Sequence, residues 1–253
     1  MIIDAPKPSH RQALRDLWQE AFGDTDAFLD TFENTAFSTA RCRCLSDGND
    51  VKAALYWFDC RFRNEHIAYL YAIATAKAHR GQGLCRTLIK DTHAHLASLG
   101  YAGSILVPSE PSLFGFYEKL GYRTLGYIGE LSCRASDETI ELRKINAEEY
   151  ASLRRKLLPD NGIHQENENL AFLETMYDLY AGNGLLLAAR REGDKLHASE
   201  LLGAPEKAPS VVASLGCAEG VFRIPQGDTP FAMYRPLKQH ILPSPIYFGL
   251  AFD

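Results

Sequence analysis

The chain has 253 residues, 46% hydrophobic and 23% charged, with a formal charge of −5 from 27 basic and 32 acidic side chains. This is the make-up of a globular protein with one large or two smaller domains, each with apolar material for a core. It excludes the basic excess usual in nucleic-acid binders, and no apolar run reaches the ~20 residues of a membrane span. The mild acidity suits a cationic partner such as an amine. The opening residues Met1-Ile2-Ile3-Asp4-Ala5-Pro6 have neither the basic nor the long apolar region of a signal peptide, so a cytoplasmic protein is expected.

In chain order, 2–4 reads as a short strand. Ser9, with Gln12 three residues on, reads as the capping box of a helix carrying Leu14, Leu17, Trp18 and Phe22 at helical spacing. Gly23 breaks it, and 26–33 reads as a second helix with Phe28, Leu29 and Phe32 on one side. Strands at 41–45 and 51–62 flank the turn Asp47-Gly48-Asn49-Asp50, and 67–75 reads as a strand buried on both faces. A helix over 83–99 is capped by Gly100, followed by a strand at 104–107. A short helix at 112–120 ends at Gly121, and 122–131 returns as a strand. Three antiparallel strands before a strand–helix–strand crossover predict a mixed, mostly antiparallel α/β sheet flanked by helices, an α+β arrangement.

The polar stretch 133–138 divides the chain into 1–134 and 135–253. The second part starts again with a strand at 139–142, helices at 147–158 and 169–180, and a hairpin of 185–189 with 196–202. Further strands are expected at 211–217, 220–224, 231–234 and 247–252. Its strand–helix–helix–strand–strand opening echoes the first part, as a diverged repeat would.

The cysteines at 42, 44, 60, 85, 133 and 217 form no C-x-x-C pair, and small buried thiols in a reducing compartment are expected. His93 and His95, two apart on a helix, diverge, and no metal site is expected.

The chemistry concentrates after the strand 69–75, at Arg80-Gly81-Gln82-Gly83-Leu84-Cys85-Arg86. A helix opening behind two glycines offers free backbone N–H groups and a partial positive charge to an anion, and two arginines add fork-shaped donors. The pattern is neither a P-loop nor a dinucleotide fingerprint. On residues alone it is either a phosphate-binding loop or a helix start whose glycines allow tight packing.

Arg80-Gly81-Gln82-Gly83-Leu84-Cys85 resembles the R/Q-x-x-G-x-G/A signature of the GNAT superfamily of N-acetyltransferases. The strand before it resembles that family's cofactor strand, and Phe116-Tyr117-Glu118-Lys119-Leu120-Gly121-Tyr122 its tyrosine-bearing second signature. The resemblance covers about 2–131, and Cys85 departs from the family's Gly or Ala. Ser109-Glu110 and a second acetyltransferase-like half are similar to the enhanced-intracellular-survival type. Enzymes of that type acetylate aminoglycoside-like polyamines and carry a third, C-terminal domain, which 253 residues are not expected to hold complete.

The resemblance implies acetyl-CoA as co-substrate and no metal. Backbone groups of Ile73, Ala74 and Thr75 would meet the pantetheine arm. The N–H groups of Gly81, Gln82, Gly83, Leu84 and Cys85 would meet the pyrophosphate, with Arg80 and Arg86 beside them and Ser109 and Glu110 near the cofactor. Tyr117 matches the family's general acid. Asp24, Asp26, Glu33 and Asp59 are open candidates for the base, as is the carboxylate of Asp253 by analogy with the survival type. The second half lacks the signature, so it is expected to bind no cofactor and to shape an acceptor pocket. Trp18, Phe22, Phe28, Phe32, Trp57 and Phe58 are candidates for that pocket or for the core.

The expected activity is transfer of acetyl to a primary amine, chiefly of a small molecule. The expectation excludes nucleic-acid and membrane partners and leaves homo-oligomerisation open. A non-catalytic acyl-CoA-binding or interaction protein with a retained fold is the alternative. A nucleotide-binding module lacks a base- or Mg²⁺-recognising feature, and acetylation of a protein amine differs only in the acceptor.

Overall fold

Gly23 ends the first helix in a left-handed conformation, φ 78°, with its N–H returned to Gln19. The computed structural model describes residues 1–238 and 247–252. The first half runs β1 (Ile2–Asp4), α1 (Arg11–Phe22), α2 (Asp26–Thr35), β2 (Cys42–Asp47), β3 (Asp50–Phe62), β4 (Glu65–Thr75), α3 (Leu84–Ser98), β5 (Gly103–Leu106), α4 (Phe114–Glu118) and β6 (Arg123–Arg134). The expected order of elements holds throughout this half. The capping box does not: Ser9 lies inside a 3₁₀ turn, Pro8–His10, and α1 has no side-chain cap. Proline at the turn's first position sets the helical entry instead.

The second half runs β7 (Leu142–Ile145), α5 (Ala147–Leu157), the two-residue β8 (His164–Gln165), α6 (Glu168–Met176), β9 (Asp178–Gly182), β10 (Leu185–Glu192), β11 (Lys195–Gly203), α7 (Ala208–Ser214) and β12 (Glu219–Pro236). Five expectations change here. The segment 139–142 gives way to a strand that starts at Leu142. The helix expected over 169–180 stops at Met176, and its tail becomes β9. The apolar run 211–217 is mostly helix α7, opened by a 3₁₀ turn, Pro205–Lys207. The strands expected at 220–224 and 231–234 are one irregular strand, β12. Residues 247–252 form no strand beyond a bridge from Tyr247 to Gly162.

The described strands form one sheet, in the order β1-β2-β3-β4-β5-β12-β11-β10-β9-β7, with β6 on β12 and β8 on β3. Strands β1 to β4 pair antiparallel in sequence, then β4 pairs parallel with β5. Strands β7, β9, β10 and β11 repeat the antiparallel series, and β11 pairs parallel with β12. The echo read in the sequence is therefore a repeat of strand order and direction.

The halves are joined by a ribbon. The start of β6 pairs with the end of β12, where Met233–Pro236 also flanks β5. The end of β6 pairs with the start of β12, where Glu219–Phe222 also flanks β11. Each half thus closes its sheet with one stretch of β6 and one of β12. This crossing lies on either side of the division expected after Arg134.

Alternation along these strands buries three clusters. The largest, around Trp18, Phe32, Phe58, Phe172 and Phe252, joins α1, α2, α6 and the C-terminal segment across the sheet. The second lies under α3, around Trp57, Leu88 and Tyr122, and the third packs α7 on β10 and β11. Cys42 and Cys44 share the buried face of β2, and all six cysteines are free.

Candidate active site

The site begins where two parallel strands part. β4 pairs with β5 only over Ile67–Tyr69, although β4 continues to Thr75. On its other side β4 stays on β3 but is bulged. Between the pairs Tyr56–Tyr71 and Ala54–Ala74, two β4 residues, Ala72 and Ile73, oppose Leu55 alone. Ala72 takes a positive φ of 47° to make the bulge, which bends the strand and sharpens the parting.

The resulting wedge is a cleft of about 640 Å³. One wall is β4 from Tyr69 to Ile73, and the other is Leu106–Val107–Pro108–Ser109–Glu110 after β5. Tyr117 of α4 lines it, as do Asp24 after α1 and Phe231, Ala251 and Phe252 from the second half. Such a cleft at a strand divergence, lined by parts from two halves, is a common place for a small-molecule site.

After β4 comes the glycine loop. Arg80 Nε donates to the Thr75 carbonyl oxygen at 3.1 Å, and the Lys77 N–H donates to Glu20 Oε2 at 2.8 Å, tying the loop to β4 and α1. Gly81 and Gly83 have φ of 76° and 78°, where a side chain would be strained, and the space where a Cβ would sit is open. Gly83 caps α3 without a side chain, so the first-turn N–H groups of this 15-residue helix face solvent. Gln82 and Arg86 are exposed, while Leu84 turns into the core. Cys85 is half-buried against the cluster under α3, and burial pushes its thiol up to about 11. The residue that departs from the motif is thus a neutral packing group directed inward.

Two polar groups here have no partner among the described residues. Thr75 Oγ1 is buried without a hydrogen bond. Tyr117 is 7% exposed, and its hydroxyl has none either. Burial, with the nearby Cys85 sulfur second, raises the Tyr117 phenol well above its ordinary value. Gly121, at φ 87°, turns the chain after α4, and the Tyr122 N–H returns to the Tyr117 carbonyl at 3.2 Å.

Of the four carboxylates named as base candidates, only Asp24 lines the wedge. Asp26 pairs with Arg15, and Glu33 with Arg11 and Arg15, on the outer side of α1. Asp59 accepts a short hydrogen bond from Tyr101 and faces Arg41 at 3.6 Å. Asp253 lies outside the described residues. Ser109 and Glu110 both line the wedge. Trp18, Phe22 and Phe28 line it too, whereas Phe32 and Phe58 are core and Trp57 packs under α3. Sequence reasoning missed Phe231 and Phe252 because their approach depends on long-range returns of the chain, Phe231 on β12 and Phe252 on the C-terminal segment. The Phe252 ring centroid lies 4.7 Å from Phe58 and 5.6 Å from Tyr71.

The second half contains the same parting, between β11 after Ala198 and β12 after Phe222. There the chain fills it. Arg223 reaches the Gly249 carbonyl at 2.9 Å, and Tyr247 bonds the buried Glu200 at 3.0 Å. Among the described residues no group of three or more His, Cys, Asp or Glu side chains is placed to hold a metal ion. No described helix is long and apolar enough to cross a membrane.

The site is a parallel strand pair that parts, followed by a glycine-led helix. Residues 3–125 match the acetyltransferase (GNAT) domain family. Solved structures extend the likeness of fold over nearly the whole chain. A GCN5-related N-acetyltransferase from Kribbella flavida is 15% identical, with a TM-score of 0.71 over 93% of this chain and 72% of that one. One from Anabaena variabilis is 13% identical, with 0.72 over 94% and 73%. Eis1 from Mycobacterium abscessus is 11% identical, with 0.68 over 94% and 74%. No curated protein matches the chain.

Proposed function

We propose that the protein transfers the acetyl group of acetyl-CoA to a primary amine of a small molecule by direct attack. The observation that supports this reading is the wedge, lined by the bulged strand and by Tyr117, with an open glycine loop following that strand. Acetyl-CoA supplies an acyl group activated as a thioester.

The exposed N–H groups from Gly81 to Cys85 bind the pyrophosphate, helped by the charge of Arg80 and Arg86. The parted edge of β4 presents backbone groups at Ile73, Ala74 and Thr75 to the pantetheine arm, and Thr75 Oγ1 gains the partner it lacks. Ser109 and Glu110 bound the opposite wall. A strand N–H directed at the acetyl oxygen stabilises the charge that develops there.

The acceptor enters between Asp24 and the aromatic wall of Trp18, Phe28 and Phe252. Asp24 orients the amine and takes its proton as the C–N bond forms. The C–S bond breaks, and Tyr117 gives its proton to the departing sulfur. The phenol is then reprotonated from solvent. Burial keeps Tyr117 protonated at neutral pH, so the donor is in the required state. The second half, its own parting filled by Arg223 and Gly249, takes no cofactor and builds the acceptor side.

The test is release of free thiol from acetyl-CoA across a panel of small primary amines, polyamines and aminoglycosides included, with a lysine peptide as comparison. Amine-dependent release that saturates with a small amine supports the reading. Binding of acetyl-CoA without release for any amine would replace it with a non-catalytic acyl-CoA-binding protein.

A further inference from the structure

The second half contributes one cation to the lining of the wedge. Among the described residues, the charged side chains that line it are Asp24, Glu110 and Arg190. Glu110 stands on the wall after β5, where its Oε1 accepts from the Ser112 hydroxyl at 2.5 Å. Asp24 of the first half and Arg190 of β10 remain to meet an acceptor. They do not pair with each other: Asp24 accepts from Trp18, and Arg190 turns to groups of its own half.

Arg190 is held in place. Its Nε donates to Glu192 Oε1 at 2.8 Å, its Nη1 donates to the Tyr177 hydroxyl at 3.3 Å, and the guanidinium carbon lies 5.4 Å from the Tyr177 ring centroid. Its Nη2 donates to nothing among the described residues. A guanidinium fixed on two sides, with one amino group unused, is a ready donor to a carboxylate. Glu192 offsets this charge only in part. It does not line the wedge, and the two side chains are 43% and 53% exposed, so water screens their pairing.

Much of the remaining lining is aromatic or apolar. The Trp18 ring centroid lies 6.3 Å from that of Phe28 and 5.6 Å from that of Tyr71, and Tyr71 lies 5.6 Å from Phe252. Met176 and Phe231 add apolar surface from the second half. Such walls suit a ring better than a hydroxyl-rich body. A polyamine or aminoglycoside, with several positive charges, would meet a guanidinium where it needs a carboxylate.

On the reading that the wedge takes the acceptor amine, we propose that the acceptor is an aminocarboxylate. Its primary amine meets Asp24, its ring-bearing apolar body lies on the aromatic wall, and its carboxylate is bound by Arg190. Arg190 is then a specificity-determining residue, and polycations are poor acceptors.

The test reads binding without turnover. The protein, with and without saturating CoA, is titrated calorimetrically with two matched pairs: phenylalanine against phenethylamine, and 4-(aminomethyl)benzoate against 4-methylbenzylamine. The pairs place the carboxylate near to and far from the amine. In at least one pair the aminocarboxylate should bind about tenfold tighter, the size of one charge-assisted hydrogen bond. Arg190→Gln should bring that ratio close to one, and Arg190→Lys should restore part of it. No binding of any of the four, equal binding within both pairs, or a preference that survives Arg190→Gln overturns the inference. Thermal unfolding checks that each variant is folded. Release of free thiol from acetyl-CoA with the same compounds separates this inference from the transfer reading. Release with no preference for a carboxylate leaves transfer standing and overturns the inference. An Arg190-dependent binding preference without release upholds the site and removes transfer.

Discussion

The Trp18 indole nitrogen donates a hydrogen bond of 2.7 Å to Oδ2 of Asp24, and both side chains line the wedge. The indole fixes one carboxylate oxygen and leaves the other for a ligand. Asp24→Asn keeps an acceptor for the indole but removes the charge and the proton-accepting capacity. It should lower kcat/KM for the amine about 10²-fold, with Tm nearly unchanged. An Asp24→Asn enzyme as active as the wild type would remove Asp24 from the reaction.

Tyr117 makes a separate prediction. Tyr117→Phe keeps the packing against Phe116 and Tyr122 and removes only the hydroxyl. The expected loss is at least 10²-fold in kcat, with the KM for acetyl-CoA little changed. Because burial raises the phenol, the wild-type rate should not fall on the alkaline side until pH passes the ordinary tyrosine value of ~10. An alkaline limb near pH 8 would assign the acid elsewhere.

Gly83 tests the loop. Acetyl-CoA at ~100 times its Kd should stabilise the wild type by about 2.7 kcal/mol, seen as a rise in Tm. Gly83→Asp places a like charge where the phosphates belong, at a φ of 78° that costs about 1–2 kcal/mol by itself. The variant should fold with a lower Tm, and acetyl-CoA should no longer raise it. A retained rise would move the phosphate site away from this loop.

His93 sets an acid limit on stability. It is buried under α3, with Nε2 2.8 Å from the Tyr122 hydroxyl, and burial lowers it to about 3. Between that value and its unfolded value of ~6.5, the unfolded chain binds the extra proton. Its contribution is complete above pH ~6.5 and is lost as pH falls toward 3, by at most about 1.4 kcal/mol per pH unit. Denaturant titrations should show a shallower slope over this window in His93→Gln; an unchanged slope would rule His93 out.

Arg154 and Glu200 form an ion pair at 2.7 Å with neither side chain more than 2% exposed, and Tyr150 and Tyr247 also donate to Glu200. Arg154→Met leaves a buried carboxylate without its cation and should cost about 3–5 kcal/mol, near 10 °C in Tm. Adding Glu200→Gln should recover part of the loss, because the amide oxygen still accepts from the tyrosines. Calorimetry of the single and double variants checks both values.

The loop and its helix were legible because two glycines after an apolar strand leave few alternatives, and the structure gives both a positive φ. The run 211–217 misled because a short apolar stretch with paired valines suits either element; the prolines before it settle it as helix. The tail of the expected 169–180 helix is a strand because Asp178 to Gly182 pair with β10 and β7, a tertiary demand invisible to local periodicity. Which of four carboxylates reaches the wedge was likewise unreadable, since it depends on where α1 ends in space. Phe252 could be read as apolar, but its place beside Tyr71 follows from the anchoring of 247–250 on Ile163 and Gln165.

The β6–β12 ribbon has a consequence for how the protein is born. When the ribosome has delivered Arg134, the glycine loop and Tyr117 already exist, but Met233, the partner of Leu106 at the edge of the wedge, has not been made. The first half therefore emerges with an open sheet edge beside its most important strand, and closes it only after the second half has been translated. Strand pairings between residues so far apart in the chain also make late, slow steps. Maturation of the wedge is timed by the synthesis of β12, so the half without the signature acts on the site first as a folding partner.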